Sequence, residues 1–176
     1  MKSKLLIGII SDTHDCLPLI DKAVKKLEEE RIELVLHAGD YISPFVIPHF
    51  KSFKDRFIGV FGNNDGDHES LKRRFAESDL EIRGLFAELK VNGLRIALLH
   101  GGESGSPPGA SELLKSLIES ECYNVIVHGH LHDAKIHQKG ETLKINPGEV
   151  CGYLTGKSTI AVLDSKTMDS NIISLK

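Results

Sequence analysis

A chain of 176 residues, 40% hydrophobic and 27% charged, fits one soluble globular domain with a sizeable core. Its formal net charge of −3 argues against long nucleic acid or an acidic membrane surface as partner, but leaves room for a small nucleotide. Three cysteines without metal-finger spacing argue against a disulfide framework and for a cytoplasmic protein, and no apolar stretch approaches the roughly 20 residues that cross a bilayer.

Residues 4–10 (KLLIGII) form a nearly continuous apolar run, which predicts a buried strand and, without a cleavage site after it, not a signal peptide. Pro18 opens a helical pattern through Leu19, Ile20, Ala23, Val24 and Leu27, with Lys25, Lys26, Glu28 and Glu29 on the polar face. Residues 32–36 predict a second strand, 44–50 a short helix, 56–61 a third strand and 69–76 a polar helix. Asn92-Gly93 predicts a hairpin between 86–91 and 94–99. Residues 102–109 (GESGSPPG) read as a surface connector, with a rim of the substrate pocket as the sharper alternative. A helix is expected over 110–120 and a buried strand over 123–127. Two more hairpins follow, 135–139 with 142–145 around Gly140-Glu141, and 159–163 with 171–175. Alternating strands and helices followed by hairpins predict a parallel core sheet joined to antiparallel strands, helices outside, as a single domain over 1–176.

The polar residues fall at the ends of the apolar strands. These ends carry Ser11-Asp12-Thr13-His14, His37-Ala38-Gly39-Asp40, Gly62-Asn63-Asn64-Asp65, His100-Gly101-Gly102 and His128-Gly129-His130-Leu131-His132. Ligands of open α/β sheets bind outside the carboxyl ends of the strands, so these loops would meet on one edge. Together they offer carboxylates, an amide oxygen and several imidazoles, a donor set for manganese, iron, cobalt, nickel or zinc rather than magnesium alone. Asp-x-His or Gly-Asp alone is weak and reads as a turn; three imidazoles in His130-Leu131-His132 and the nearby His128 have no packing rationale. The conjunction of all five carries the argument.

As an ordered set, these motifs resemble the calcineurin-like metallophosphoesterases: D-T-H at Asp12, G-D at Gly39, G-N-N-D at Gly62, H-G-G at His100 and G-H-L-H at Gly129. The segment 146–156 (NPGEVCGYLTG) is similar to the small single-domain phosphodiesterase branch of bacteria and archaea. The resemblance implies an α/β fold, two mixed β-sheets packed as a sandwich with helices on both outer faces. It implies two divalent metal ions, manganese first among the candidates. Asp12, His14, Asp40 and His132 would hold one, and Asp40, Asn63, His100 and His130 the other, Asp40 bridging. The activity implied is hydrolysis of a small phosphodiester or nucleotide by a hydroxide held between the metals. Phosphomonoester hydrolysis and a non-catalytic interaction scaffold are the alternatives, and self-association is left open.

Two positions depart from the family pattern. Asn64 replaces a histidine and Gly102 another. Asn64, expected to act in catalysis, can donate a hydrogen bond but cannot deliver a proton, so substrates with acidic leaving groups should be favoured. His68 is a candidate substitute acid. His128 and Cys151 are expected to be structural, His37 to pack or to support the ligands, and His49, His68 and His137 to face solvent. Asn146-Pro147-Gly148 is expected to turn towards the metals and touch the phosphate.

Overall fold

The computed structural model describes residues 4–101 and 112–175. In the first sheet, β1 (Leu6–Ile10), β2 (Leu34–His37), β3 (Phe57–Gly59) and β4 (Glu81–Ile82) run parallel. In the second, β5 (Phe86–Val91) pairs antiparallel with β6 (Leu94–Leu99), which runs parallel to β7 (Val125–Val127). An antiparallel pair, β8 (Lys135–Lys139) and β9 (Thr142–Asn146), completes it, with β9 parallel to β7. The chain then returns to the first sheet as β10 (Thr159–Asp164) and β11 (Ser170–Ser174), both antiparallel to their neighbours, giving the order β11-β10-β1-β2-β3-β4 against β5-β6-β7-β9-β8.

Period-two alternation sorts the side chains into layers. Ile7 and Ile9 of β1, Ile96 and Leu98 of β6, and Val125 and Val127 of β7 share one core cluster between the sheets. Their neighbours face outward. Ile10 packs with α1 (Leu17–Glu29), α2 (His68–Ala76) and the segment 44–53, while Ala97, Leu99 and Ile126 pack with Leu114 of α3 (Glu112–Glu119). Each such fully buried aliphatic side chain contributes roughly 1.5–3 kcal/mol. The result is the expected sandwich of two mixed sheets with helices on both outer faces. Gly8 shows how closely the layers meet: a Cβ there would run into Leu27 of α1.

The departures are local. Strand β2 starts at Leu34, not at residue 32, because the end of α1 uses the Ile32 amide to bond Leu27 O at 3.0 Å. The expected helix over 44–50 is a 3-10 helix, Pro44–Phe53, with Pro48 inside it offering no N–H. Strand β4 was not foreseen: two residues in a polar stretch carry no readable period. The connector 102–109, Gly102 and the start of the helix expected over 110–120 lie outside the described residues.

Candidate metal centre

Every parallel strand but the last of the first sheet, and the parallel strands of the second, delivers its following loop to one edge. Backbone bonds zip these loops together. Asp12 N donates to Gly39 O (3.0 Å), His14 N to Asp40 O (3.0 Å), and Gly129 N to His100 O (3.0 Å). Val150 N and Cys151 N, in the loop after β9, donate to Ser11 O (3.0 Å) and Asp12 O (3.1 Å). Glycine is required at Gly62 and Gly129, where a Cβ would run into Asp40 Oδ1 and Ser11 Oγ respectively.

All seven expected ligands meet in one cluster; contacts of Asp12, His14 and His132 form one group and those of Asn63, His100 and His130 another, joined through Asp40 and through the His130 amide on Asp12. In one group His14 Nε2 lies 3.7 Å from Asp12 Oδ1 and 3.5 Å from Asp40 Oδ2, and His132 Nε2 lies 3.1 Å from Asp12 Oδ1. In the other, His100 Nε2 lies 3.4 Å from Asp40 Oδ2 and 3.0 Å from Asn63 Oδ1, and the His130 ring meets the His100 ring at 5.2 Å. The His130 amide donates to Asp12 Oδ2 at 3.2 Å.

The tautomers of two imidazoles follow from their outer partners. His100 Nδ1 lies 2.7 Å from Ala38 O and His132 Nδ1 lies 2.7 Å from Glu149 Oε2. A carbonyl or an ionised carboxylate only accepts, so Nδ1 carries a proton in each and Nε2 is the atom turned inward, open to a cation that displaces its proton. Such outer partners are how metal-binding histidines are oriented.

The electrostatics are those of a cation site. Burial alone would raise the Asp12 carboxyl, but His132 and His14 at its oxygens and the charge of His100 hold it well below the usual carboxylate range. Burial likewise opposes, and His100 and Asn64 outweigh it, in lowering Asp40. Those two carboxylates raise His100 against the pull of burial, and Asp12 first, then Glu149, raises His132 to about 9. Among the described residues, Asp12 Oδ1 and His14 Nε2 are buried outside any hydrogen bond, with only the ion-pair neighbours named above; Ser11 Oγ, Tyr41 Oη and His128 Nε2 are buried without a hydrogen bond too. A buried carboxylate oxygen and an imidazole nitrogen side by side, neither in a hydrogen bond, fit a bound divalent cation. Cys151 Sγ lies near His14 and His132 as well, but it donates to Glu149 Oε2 (3.2 Å) and burial pushes its pKa to about 12. A thiol held protonated is a poor ligand, in line with its expected structural role.

Other residues hold the cluster in shape. Asn64 turns its amide onto Asp40: Asn64 N donates to Oδ1 (2.9 Å) and Nδ2 to Oδ2 (2.8 Å). Asp65, part of a recognised motif but given no role by the sequence, accepts from Asp40 N, Tyr41 N, Ile42 N and Gly62 N at 3.1, 2.6, 2.9 and 2.7 Å. His37 Nδ1 accepts from Gly39 N (3.1 Å), which leaves Nε2 to donate to Thr13 Oγ1 (3.2 Å). It thus supports the Asp40 loop while packing against Tyr41. Glu149 was missed altogether. It is fully buried and accepts from His132, Cys151, Leu154 N, Thr155 N and Thr155 Oγ1. Its signals in the sequence are its place after a strand, in a sixth loop of the kind that carries the other ligands, and its position inside the segment 146–156 that carries the resemblance.

Asn146 is buried; its Nδ2 donates to Gly129 O (3.1 Å) and its Oδ1 accepts from Gly148 N (2.9 Å), so it braces the loop of His130. His128 is buried beside it, and burial lowers its pKa to about 4. His137 faces solvent as expected, whereas His49 contacts Asp21 Oδ1 at 2.5 Å and His68 stacks on Phe61 with ring centroids 3.9 Å apart.

Residues 5–168 match the calcineurin-like phosphoesterase superfamily domain. The chain is 37% identical, over 97% of its length and 99% of the relative's, to a phosphodiesterase of Methanocaldococcus jannaschii. A solved archaeal phosphodiesterase superposes with a TM-score of 0.87 at 36% identity, covering 97% of this chain and 99% of that one. The Vps29 of Chaetomium thermophilum shares the fold alone, with a TM-score of 0.68 at 18% identity over 97% and 95% of the two chains.

Proposed function

The chain belongs to the calcineurin-like phosphoesterase superfamily, and we propose that it is a metal-dependent phosphodiesterase acting on a small phosphodiester or nucleotide. The observation that carries this reading is the convergence of the seven donor side chains around Asp40, with Asp12 Oδ1 and His14 Nε2 buried side by side outside any hydrogen bond. Asp12, His14, Asp40 and His132 would hold one ion, and Asp40, Asn63, His100 and His130 the second. When bound, a pair of divalent ions supplies an attacking hydroxide near neutral pH and offsets charge on the phosphate oxygens. Manganese is our first choice of metal, then nickel and cobalt, because the donor set mixes imidazole with oxygen.

The protein's own part is positional. Asn64 fixes the Asp40 rotamer through both carboxylate oxygens. Ala38 O and Glu149 hold the Nδ1 protons of His100 and His132, so it is Nε2 that faces the cluster and would take up a cation. With its amide turned onto Asp40, Asn64 protonates no leaving group, and His68 is stacked on Phe61. Substrates whose leaving groups need no proton, such as aryl esters, should therefore turn over fastest, since a missing general acid costs roughly 10²–10⁴-fold on a poor alkoxide. We read residues 1–176 as one domain, since one core is shared by both sheets, and as cytoplasmic, since its three cysteines are free.

The test compares hydrolysis of a matched aryl phosphodiester and phosphomonoester with manganese, nickel and cobalt in turn, with Asp40→Asn as control. The diester should be preferred, and Asp40→Asn should abolish turnover. Preference for the monoester would make it a phosphomonoesterase, and no turnover with any metal would make it a scaffold.

A further inference from the structure

The loop after β9 does more than hold His132. Its tip exposes two large side chains, Tyr153 at 63% and Leu154 at 75%. This tip is locked in place. Leu154 N and Thr155 N both donate to the buried Glu149 carboxylate, at 3.1 and 2.6 Å, and Val150 N and Cys151 N are tied to the end of β1. Gly152 and Gly156, at φ +66° and +69°, bracket the tip with the left-handed turns it needs.

The tip adjoins the metal cluster. The Tyr153 ring lies 6.4 Å from the His14 ring, inclined by 43°, and the His14 ring lies 5.5 Å from that of His132. Leu131, between His130 and His132 in the chain, is a further exposed apolar side chain on a ligand loop. Residues 149–156 (EVCGYLTG) include no lysine or arginine; the nearest cation in the chain, Lys157, lines a separate hollow with His132 and Thr155. What the tip offers is a ring and an aliphatic surface beside a place that grips phosphate.

We propose that Tyr153 and Leu154 form a platform for the planar aromatic group, aryl or nucleobase, esterified to the phosphate. The inference rests on the phosphodiesterase reading for the orientation of its ligand. Rings of either kind present a π-face to an aromatic side chain, and such stacking discriminates planar from small aliphatic groups.

Binding without turnover tests it. With the manganese-loaded protein, calorimetry would measure phenylphosphonate against methylphosphonate, and adenosine 5′-monophosphate against ribose 5-phosphate. The wild type should prefer each aromatic member by about tenfold, the size of one lost stack. Tyr153→Ala should erase the preference and Tyr153→Phe should keep it. A preference for phenyl alone assigns the platform to aryl esters, and one for adenosine alone to nucleotides. No preference in the wild type, or one that survives Tyr153→Ala, overturns the proposal. So does light scattering that shows Tyr153→Ala with Leu154→Ala splitting a dimer while the preference stays, since the tip would then be a self-association face. Turnover of a diaryl diester, followed in parallel, separates the two claims. Turnover without an aromatic preference sinks the platform alone, whereas preference without turnover sinks the phosphodiesterase reading and keeps the platform.

Discussion

Replacing Glu149 by glutamine changes one atom in a fully buried side chain and should weaken both stability and metal binding. The carboxylate has two ends. Oε1 takes Thr155 N (2.6 Å), Thr155 Oγ1 (2.7 Å) and Leu154 N (3.1 Å), and Oε2 takes His132 Nδ1 (2.7 Å) and Cys151 Sγ (3.2 Å). A glutamine can offer oxygen to only one end. If its oxygen stays with Thr155, its NH₂ faces His132, which must move its proton to Nε2 to accept. The lone pair aimed at the cluster is then lost. If the oxygen stays with His132, the amides of the tip are left facing donors. Either mismatch costs about 1–3 kcal/mol for each orphaned group, so about 2–6 kcal/mol for two such groups. Loss of an outer partner of this kind typically lowers metal affinity roughly 10–100-fold. Urea unfolding with chelator present would read the first quantity and calorimetric titration with manganese the second. Thr155→Ala is the control, which should lose stability but keep metal affinity. The acid limb gives a further readout. The Thr155 and His132 donors overcome burial and hold the Glu149 carboxyl at about 2, below its ordinary 4.5. A depressed carboxyl stabilises above its unfolded value, and that contribution, about 3 kcal/mol, fades as pH falls from 4.5 towards 2. Glu149→Gln should lack this acid sensitivity. Unchanged metal affinity together with an unchanged urea midpoint would refute the reasoning.

Burial holds the His37 pKa near 3, against an ordinary 6.5. The unfolded chain therefore binds the extra proton between those values, and stability should fall as pH drops below 6.5, by of order 5 kcal/mol at the lower end. Comparing urea midpoints at pH 7.5 and 5 should show this slope in the wild type and a shallower one in His37→Gln. Gly62→Ala would push a Cβ into Asp40, costing about 1–3 kcal/mol of strain. Circular dichroism should show a folded protein whose manganese affinity, by titration calorimetry, is at least tenfold weaker. Manganese at a hundred times its Kd should stabilise the native chain by about 2.7 kcal/mol. That is a rise in Tm of roughly 5–10 °C, reversed by chelator and absent in Asp40→Asn by thermal-shift measurement.

The site was legible where chemistry is written in consecutive residues. Asp12 and His14, Gly39 and Asp40, and the run from Gly129 to His132 each follow an apolar strand, and the meeting of their loops on one edge follows from that pattern. What the sequence concealed depends on partners far along the chain. Glu149 after Asn-Pro-Gly reads as an ordinary turn residue, because its burial is created by His132 and Thr155 closing over it. Asp65 stands in a recognised motif, yet its role lies in amides at residues 40–42. Strand β4 is legible only as the edge that Gly59 O and Arg83 N define, at 2.9 Å. Local pattern places ligands; the residues that hold ligands still are placed by the tertiary fold.

That division also explains the backbone. Asp12, His14, Asp40, His130 and His132 all have left-handed φ values, 54°, 43°, 62°, 64° and 55°. An L-residue pays roughly 1–2 kcal/mol for that conformation, and glycine would relieve it at each position. Glycine, however, has no donor atom for a cation. The five residues therefore keep a strained conformation that only their side chains justify, and such strain persists only where the surroundings over-determine it. Here they do. Asp12 N is bound to Gly39 O, the Asp40 carbonyl takes both Thr13 N and His14 N, and the Asp40 amide is held by Asp65. The neighbouring loops hold these turns through backbone bonds of their own, so the ligand backbones are braced by the fold as well as by any cation their side chains take up.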